Sequence, residues 1–152
     1  MKKDNVIIMG SDHAGFAVKE YVKELVKRKG YTVDDVGPLS PDRVDYPDFA
    51  EKVALKVRKN SARKGFLACA TGIGISIAAN KIPGIRAALV HTPREARLSR
   101  EHNNANVLVV GGRPYNKNRI KKILNVWLQT DFLGDRHQRR VSKISKLERK
   151  YC

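Results

Sequence analysis

Cys69 stands in the segment Cys69-Ala70-Thr71-Gly72-Ile73-Gly74-Ile75-Ser76, where an apolar run meets a glycine-rich turn. Free backbone N–H groups at such a strand-to-helix turn, together with the helix dipole, favour an anion. Glycines let the backbone come close to that anion. A thiol at this edge would have its thiolate stabilised by the same field. The spacing is neither a Gly-Lys-Ser/Thr phosphate loop nor a three-glycine dinucleotide fingerprint. A tight turn after an inert, buried cysteine gives the same local pattern, and for a lone cysteine that is the commoner case.

Four other groups of residues have types suited to chemistry. Asp12-His13 offers a sugar-hydroxyl acceptor and a phosphate donor, or equally a capping Asp with an incidental His at a helix start. His102-Asn103 closes a helical pattern, where a C-terminal cap with the imidazole near the last carbonyls and Asn as the turn residue is as good a reading as a functional one. Arg136 and Arg140 are one helical turn apart, on one face if the segment is helical. Two guanidiniums so placed can fork a phosphate, although a solvated basic face is usual for such runs. Tyr46, in the Asp45-Tyr46-Pro47 loop, either lines a pocket or packs. His91 and Cys152 are read as structural or incidental.

The elements that must position these groups follow from the patterning. Strand-like runs at Val6–Gly10, Tyr31–Val36, Gly65–Cys69, Ile85–Val90 and Val107–Val110 alternate with helical spacing. Helices are read from Val18 to Val26 with Gly30 as the stop, from Phe49 to Val57, over Ile75–Asn80, from Pro93 towards Arg100, and from Ile120 to Leu128. Val141, Ile144 and Leu147 mark a last helix, at about 137–150. Gly37–Pro47 reads as a loop. Such alternation predicts an α/β fold, a single-domain Rossmann-like three-layer sandwich around a five-stranded parallel sheet. In such sheets ligands bind beyond the carboxyl ends of the strands. Ser11-Asp12-His13, Cys69–Gly74, His91 and Gly111-Gly112-Arg113 all fall just past strands.

The 152 residues suit one domain, and 41% hydrophobic content suits a packed core. No apolar run approaches a membrane span. Met1-Lys2-Lys3-Asp4 leads straight into a strand-like run without the pattern of a signal peptide, and two cysteines make no disulfide framework or metal cluster. A reducing cytoplasm is the expected location. The formal charge of +16 implies acidic partners. Much of it is ascribed to lysines at outward helical positions, such as Lys19, Lys23, Lys27, Lys52, Lys56 and Lys59. The densest cluster, from Arg136 to Lys150, lacks interleaved aromatics, which argues against a single-strand stacking platform.

Taken together, Gly10-Ser11-Asp12-His13-Ala14-Gly15, Cys69–Lys81, Pro83-Gly84-Ile85-Arg86-Ala87, Leu98-Ser99-Arg100-Glu101-His102-Asn103 and Arg136-His137-Gln138-Arg139-Arg140-Val141 resemble the type B ribose-5-phosphate isomerases in order and spacing. Galactose-6-phosphate and allose-6-phosphate isomerases share several of these motifs. The resemblance spans about Val6 to Glu148. It implies interconversion of ribose 5-phosphate and ribulose 5-phosphate through a cis-enediolate, with no metal or organic cofactor. Cys69 would be the base, with Thr71 and the amides of Ala70, Gly72, Ile73 and Gly74 holding the enediolate oxygen. His102 would open the furanose ring, and Asp12 and Asn103 would bind sugar hydroxyls. His13, Arg113, Arg136 and Arg140 would hold the phosphate, and Tyr46 would be a pocket wall. Ala70 departs from the glycine common in the family, and a positive φ there would strain alanine.

The topology adds an expectation about assembly. A helix opening at Pro93 starts at the carboxyl edge and ends, with His102, at the amino edge, far from Cys69 of its own chain. His102 would then serve a second subunit, giving a homodimer with two shared sites, or a tetramer made of two such dimers. The C-terminal helix is expected to reach that partner. Two other classes compete: an isomerase of a six-carbon sugar phosphate, and a basic nucleic-acid-binding protein, which leaves Cys69, the glycine turn and His102 unexplained. A redox-sensing thiol is weaker, since Cys69 has no resolving partner in its motif. No membrane and no specific nucleic acid are expected as partners.

Overall fold

Alternation of side chains along β1 (Val6–Ser11) sends Ile7 and Met9 to one face and Ile8 to the other, and all three are buried. A strand buried on both faces must sit inside a parallel sheet. In the computed structural model, which describes residues 5–152, β1 lies between β2 (Thr32–Asp35) and β3 (Lys64–Cys69). The sheet has five parallel strands in the order β2-β1-β3-β5-β4, with β4 at Ala87–Leu89 and β5 at Val107–Gly111. The segment Met1–Asp4 lies outside the described residues.

One face of the sheet is covered by α1 (Phe16–Arg28), α4 (Pro93–Asn103) and α5 (Lys117–Gln129). Val22, Ala96, Ile123 and Trp127 from these helices meet Phe66 and Leu108 from the strands. The other face carries α2 (Tyr46–Val57) and the short α3 (Ile73–Ala79), whose Val53 and Ile75 pack on Ile8, Leu67 and Cys69. This is the three-layer α/β sandwich that the sequence predicts. The sixth helix, α6 (Arg136–Tyr151), buries only His137 and Val141. Its Ile144, Leu147 and Tyr151 stay exposed. With the edge of β4 they border a groove of about 590 Å³.

Local chemistry sets the helix ends. Thr92 accepts a hydrogen bond from the Glu95 amide at 3.1 Å, while the Glu95 carboxylate accepts from the His91 amide at 2.6 Å. Pro93, with no N–H to satisfy, opens α4. Asn104 closes it in the left-handed conformation at φ 47°. Asn104, not Asn103, is therefore the turn residue.

Two sequence expectations change here. Tyr46 is not in a loop: it is the first residue of α2, with Asp45 before it and Pro47 inside the first turn, where proline fits. Lys19 is not outward. It is fully buried, because Asp35 at the end of β2 and Glu20 receive its ammonium at 2.7–2.9 Å. A buried lysine persists only when so paired. Lys59 lies beyond the end of α2.

Candidate active site

Chains leaving the carboxyl ends of β1 and β3 diverge to opposite faces of the sheet, and this opens a crevice between adjacent strands. Cys69 ends β3 on its rim, 4% exposed, and accepts a hydrogen bond from the Gly72 amide at 3.1 Å on Sγ. Thr71 Oγ1 accepts from the Ile73 amide at 3.1 Å. The Gly72 and Ile73 amides thus already have acceptors. Among the described residues, those of Ala70, Thr71 and Gly74 have none. They form the unpaired donors of the turn. Ala70 is not among the positive-φ residues, so alanine is unstrained there.

Two glycines let this turn close. Gly72 has φ 81°, and a Cβ there would meet Leu89 and the backbone of Val110. At Gly74 a Cβ would lie 2.6 Å from Tyr46 Cζ and 2.9 Å from its hydroxyl. The Tyr46 ring is therefore laid against the start of α3. The turn is also sewn to β5: the Gly112 amide donates to the Cys69 carbonyl at 2.7 Å and the Arg113 amide to that of Ala70 at 3.0 Å. This brings Arg113, exposed, to a recess of about 220 Å³ that Thr71 and Ile73 also line.

On the β1 side, Asp12 is buried and its Oδ1 accepts from the Gly15 amide at 2.9 Å. That capping contact uses one carboxylate oxygen. His13 Nδ1 lies 3.2 Å from the Val44 carbonyl and 3.4 Å from its amide, so either tautomer holds the ring. The loop that carries Val44 is itself braced. The Gly37 amide donates to Asp35 Oδ1 at 2.9 Å, and the Gly37 carbonyl accepts from the Ser11 amide at 3.2 Å. Burial alone would raise the Asp35 carboxyl, but hydrogen bonds from Lys19, Lys23 and the Gly37 amide outweigh it and hold the group below its usual range.

His102, Asn103, Arg136 and Arg140 are not part of this cluster. α4 begins after the carboxyl end of β4 and closes at Asn103, just ahead of the amino end of β5. His102 therefore lies at the amino edge of the sheet, roughly 15 Å of strand away from the Cys69 edge. There its ring stacks on His137, with centroids 4.1 Å apart and planes 10° from parallel. Arg136 and Arg140 occupy the first turns of α6 on either side of His137, and both are exposed. Burial, followed by the charges of His102, Arg136 and Arg140, lowers the His137 imidazole, while Asp135 opposes them. His137 was assigned no role by sequence reasoning. Its stacking partner lies 35 positions earlier (137 minus 102), and only the contact between α4 and α6 reveals the pair.

The polar residues thus fall into two sets at opposite edges of one chain. One holds a thiol and unpaired amides; the other holds two imidazoles and two guanidiniums. A thiol beside amide donors suits proton abstraction next to a carbonyl, and the second set suits acid–base and phosphate work. Comparison with known proteins supplies the family. The ribose/galactose isomerase family model matches residues 7–144. Ribose-5-phosphate isomerase B of Escherichia coli (strain K12) is 46% identical over 99% of this chain and 99% of its own length. A ribose-5-phosphate isomerase B structure from Clostridium thermocellum superposes with a TM-score of 0.94 at 46% identity, covering 97% of this chain and 99% of the other. That from Mycoplasma genitalium, with bound ribulose-5-phosphate, gives a TM-score of 0.92 at 44% identity over 95% and 97%. The chain belongs to the ribose/galactose isomerase family.

Proposed function

We propose that this protein interconverts ribose 5-phosphate and ribulose 5-phosphate through a cis-enediolate. The observation that carries the reading is the Cys69 sulfur at a turn whose Ala70, Thr71 and Gly74 amides are unpaired. Enolisation needs a base at the carbon and donors at the oxygen, and this turn supplies both. In the forward direction the Cys69 thiolate takes the proton from C2 of the open-chain aldose. The C1 oxygen then becomes the enediolate oxygen, held by the unpaired amides and the Thr71 hydroxyl. Return of the proton to C1, with proton transfer between the two oxygens, gives the ketose. His102 opens the furanose ring beforehand as acid–base. Asp12 and Asn103 bind sugar hydroxyls, Tyr46 forms a wall, and His13, Arg113, Arg136 and Arg140 bind the phosphate.

These roles need both edges of the sheet at one sugar, so a site is completed by a second copy of the chain. The bare edge of β4 and the exposed Ile144, Leu147 and Tyr151 of α6 support a homodimer through this face, with α6 reaching across. The cytoplasm is the location that fits a phosphorylated sugar as substrate.

The test is isomerisation of ribose 5-phosphate by purified protein in EDTA, beside Cys69→Ala. Turnover that survives the chelator and disappears in the variant is the expected result. Faster turnover of allose 6-phosphate or galactose 6-phosphate would move the substrate to a six-carbon sugar. A fully active Cys69→Ala protein would remove Cys69 as the base.

A further inference from the structure

A second polar cavity, of about 270 Å³, opens at the amino edge of the sheet between the ends of α2 and α4. Five cations line it, Arg58, Arg63, Lys64, Arg86 and Arg100, and no carboxylate does. Lys64 opens the strand that Cys69 closes, so the cavity lies roughly 17 Å along β3 from the sulfur. None of the five forms an ion pair among the described residues.

Their hydrogen bonds hold them without neutralising them. Arg86 donates to the carbonyls of Asn103 and Asn104 at 3.0–3.1 Å. Arg100, 8% exposed, donates to the carbonyls of Thr130 and Ala105 and to the Asn104 side chain. Arg63 gives one guanidinium nitrogen to the Lys56 carbonyl, while its buried Nε has no partner. The Lys64 ammonium makes no hydrogen bond among the described residues; its neighbour is the Trp127 ring, 5.5 Å from the centroid. Burial and then the Arg100 charge push Lys64 below the usual ammonium range, with Asp131 opposing. Burial lowers Arg100, opposed by Asp131 and reinforced by Arg86, and burial lowers Arg86, opposed by Glu148. Partly buried positive charge with no carboxylate in ion-pair contact is unfavourable, and an anion would relieve it.

We propose that this cavity binds a small phosphoanion of about pyrophosphate size. Guanidiniums and an ammonium are the usual donors to phosphate oxygens. Five cations and no carboxylate in so small a recess suit a compact, highly charged group better than a neutral sugar. It is a recess, not a track, which disfavours a polynucleotide backbone. The five cations are not among the groups assigned to the isomerase reaction, although the cavity shares the amino edge with His102 and Asn103 and lies at the opposite end of β3 from Cys69.

Trp127 is the chain's one tryptophan and touches the site through Lys64, so its fluorescence reports occupancy. The full-length protein is titrated with inorganic pyrophosphate at physiological salt, with calorimetry in parallel. Saturable binding is expected. It should weaken by about tenfold or more in Arg63→Gln/Lys64→Gln and stay within about twofold in Arg136→Gln/Arg140→Gln. The exposed Arg58→Gln provides a milder loss should the double variant fold poorly. A ribonucleoside diphosphate run by calorimetry separates two sources of the same group: equal affinity assigns the site to the free anion, and tighter binding to a carried phosphate. The proposal is overturned by an absence of saturable binding at millimolar pyrophosphate. It is also overturned if binding is lost in Arg136→Gln/Arg140→Gln and kept in Arg63→Gln/Lys64→Gln.

Discussion

Cys69 is almost wholly buried, yet its sulfur faces an amide and stands at the end of a strand where the chain opens a crevice. Removing the thiol takes away the proposed base and little packing volume. Cys69→Ala should lower kcat by about 10³-fold or more while the melting curve barely moves. Steady-state kinetics beside circular dichroism checks both halves of that statement. His137 makes a different kind of prediction. Because burial and its cationic neighbours lower its imidazole, the folded protein takes up that proton less readily than the unfolded chain. Stability is then full above the ordinary histidine range and is lost as pH falls through it towards the lowered folded value. Urea midpoints measured between about pH 8 and pH 5 should show this fall, and His137→Gln should flatten it. An unchanged slope in the variant would remove His137 as its source. The position of Cys69 at a strand end was legible because its signal is local: a strand, a cysteine and two glycines in one short run. The His102–His137 stack was not, since each ring looks ordinary in its own segment.

At the scale of elements, the turn from β3 into α3 and the brace from α1 through β2 to the loop beyond it hold the carboxyl-edge groups in place. Gly72→Ala forces a Cβ onto Leu89 and the Val110 backbone at a positive φ. We expect a cost of about 2 kcal/mol or more in urea denaturation, with isomerase activity falling beyond what the stability loss explains. Asp35→Asn leaves the fully buried Lys19 ammonium without its strongest partner, and a cost of about 3 kcal/mol is expected. Lys19→Met should cost less, because Lys23 remains on Asp35 at 2.8 Å. Equal losses in the two variants would contradict that ordering. Strands and helices alike were readable from periodicity, since Ile7, Ile8 and Met9 or Val18, Val22 and Val26 state their faces outright. What periodicity missed was long-range pairing. Lys19 looked like a solvated position because the carboxylate that buries it comes from a strand sixteen residues on. Tyr46 looked like loop because Asp-Tyr-Pro is also a turn signature, and here the proline serves the first turn of α2.

Over the whole molecule, the +16 charge is unevenly compensated. Asp34 and Asp35 engage Lys19, Lys23 and Lys56, whereas the cavity at the amino edge and the first turns of α6 have cations without such partners. The divided site makes the sharpest prediction at this scale. In the proposed two-fold dimer each site would take one edge from each copy, so chains carrying Cys69→Ala and chains carrying His102→Ala should rescue each other on mixing. Random pairing restores one site in each mixed dimer, or roughly a quarter of the wild-type activity. Activity no higher than either inactive parent, in dimers verified as mixed, would overturn the shared site. The sequence pointed to this division through the direction of α4 alone, whereas the apolar groove beside β4 needed the fold. The opposed placement of Cys69 and His102 also has a consequence in heredity. Two defective alleles of this one gene, one lesioned at each edge, should together supply isomerase activity that neither gives alone. Lesions in a single cistron would then sort into two complementation groups, as if they belonged to separate genes.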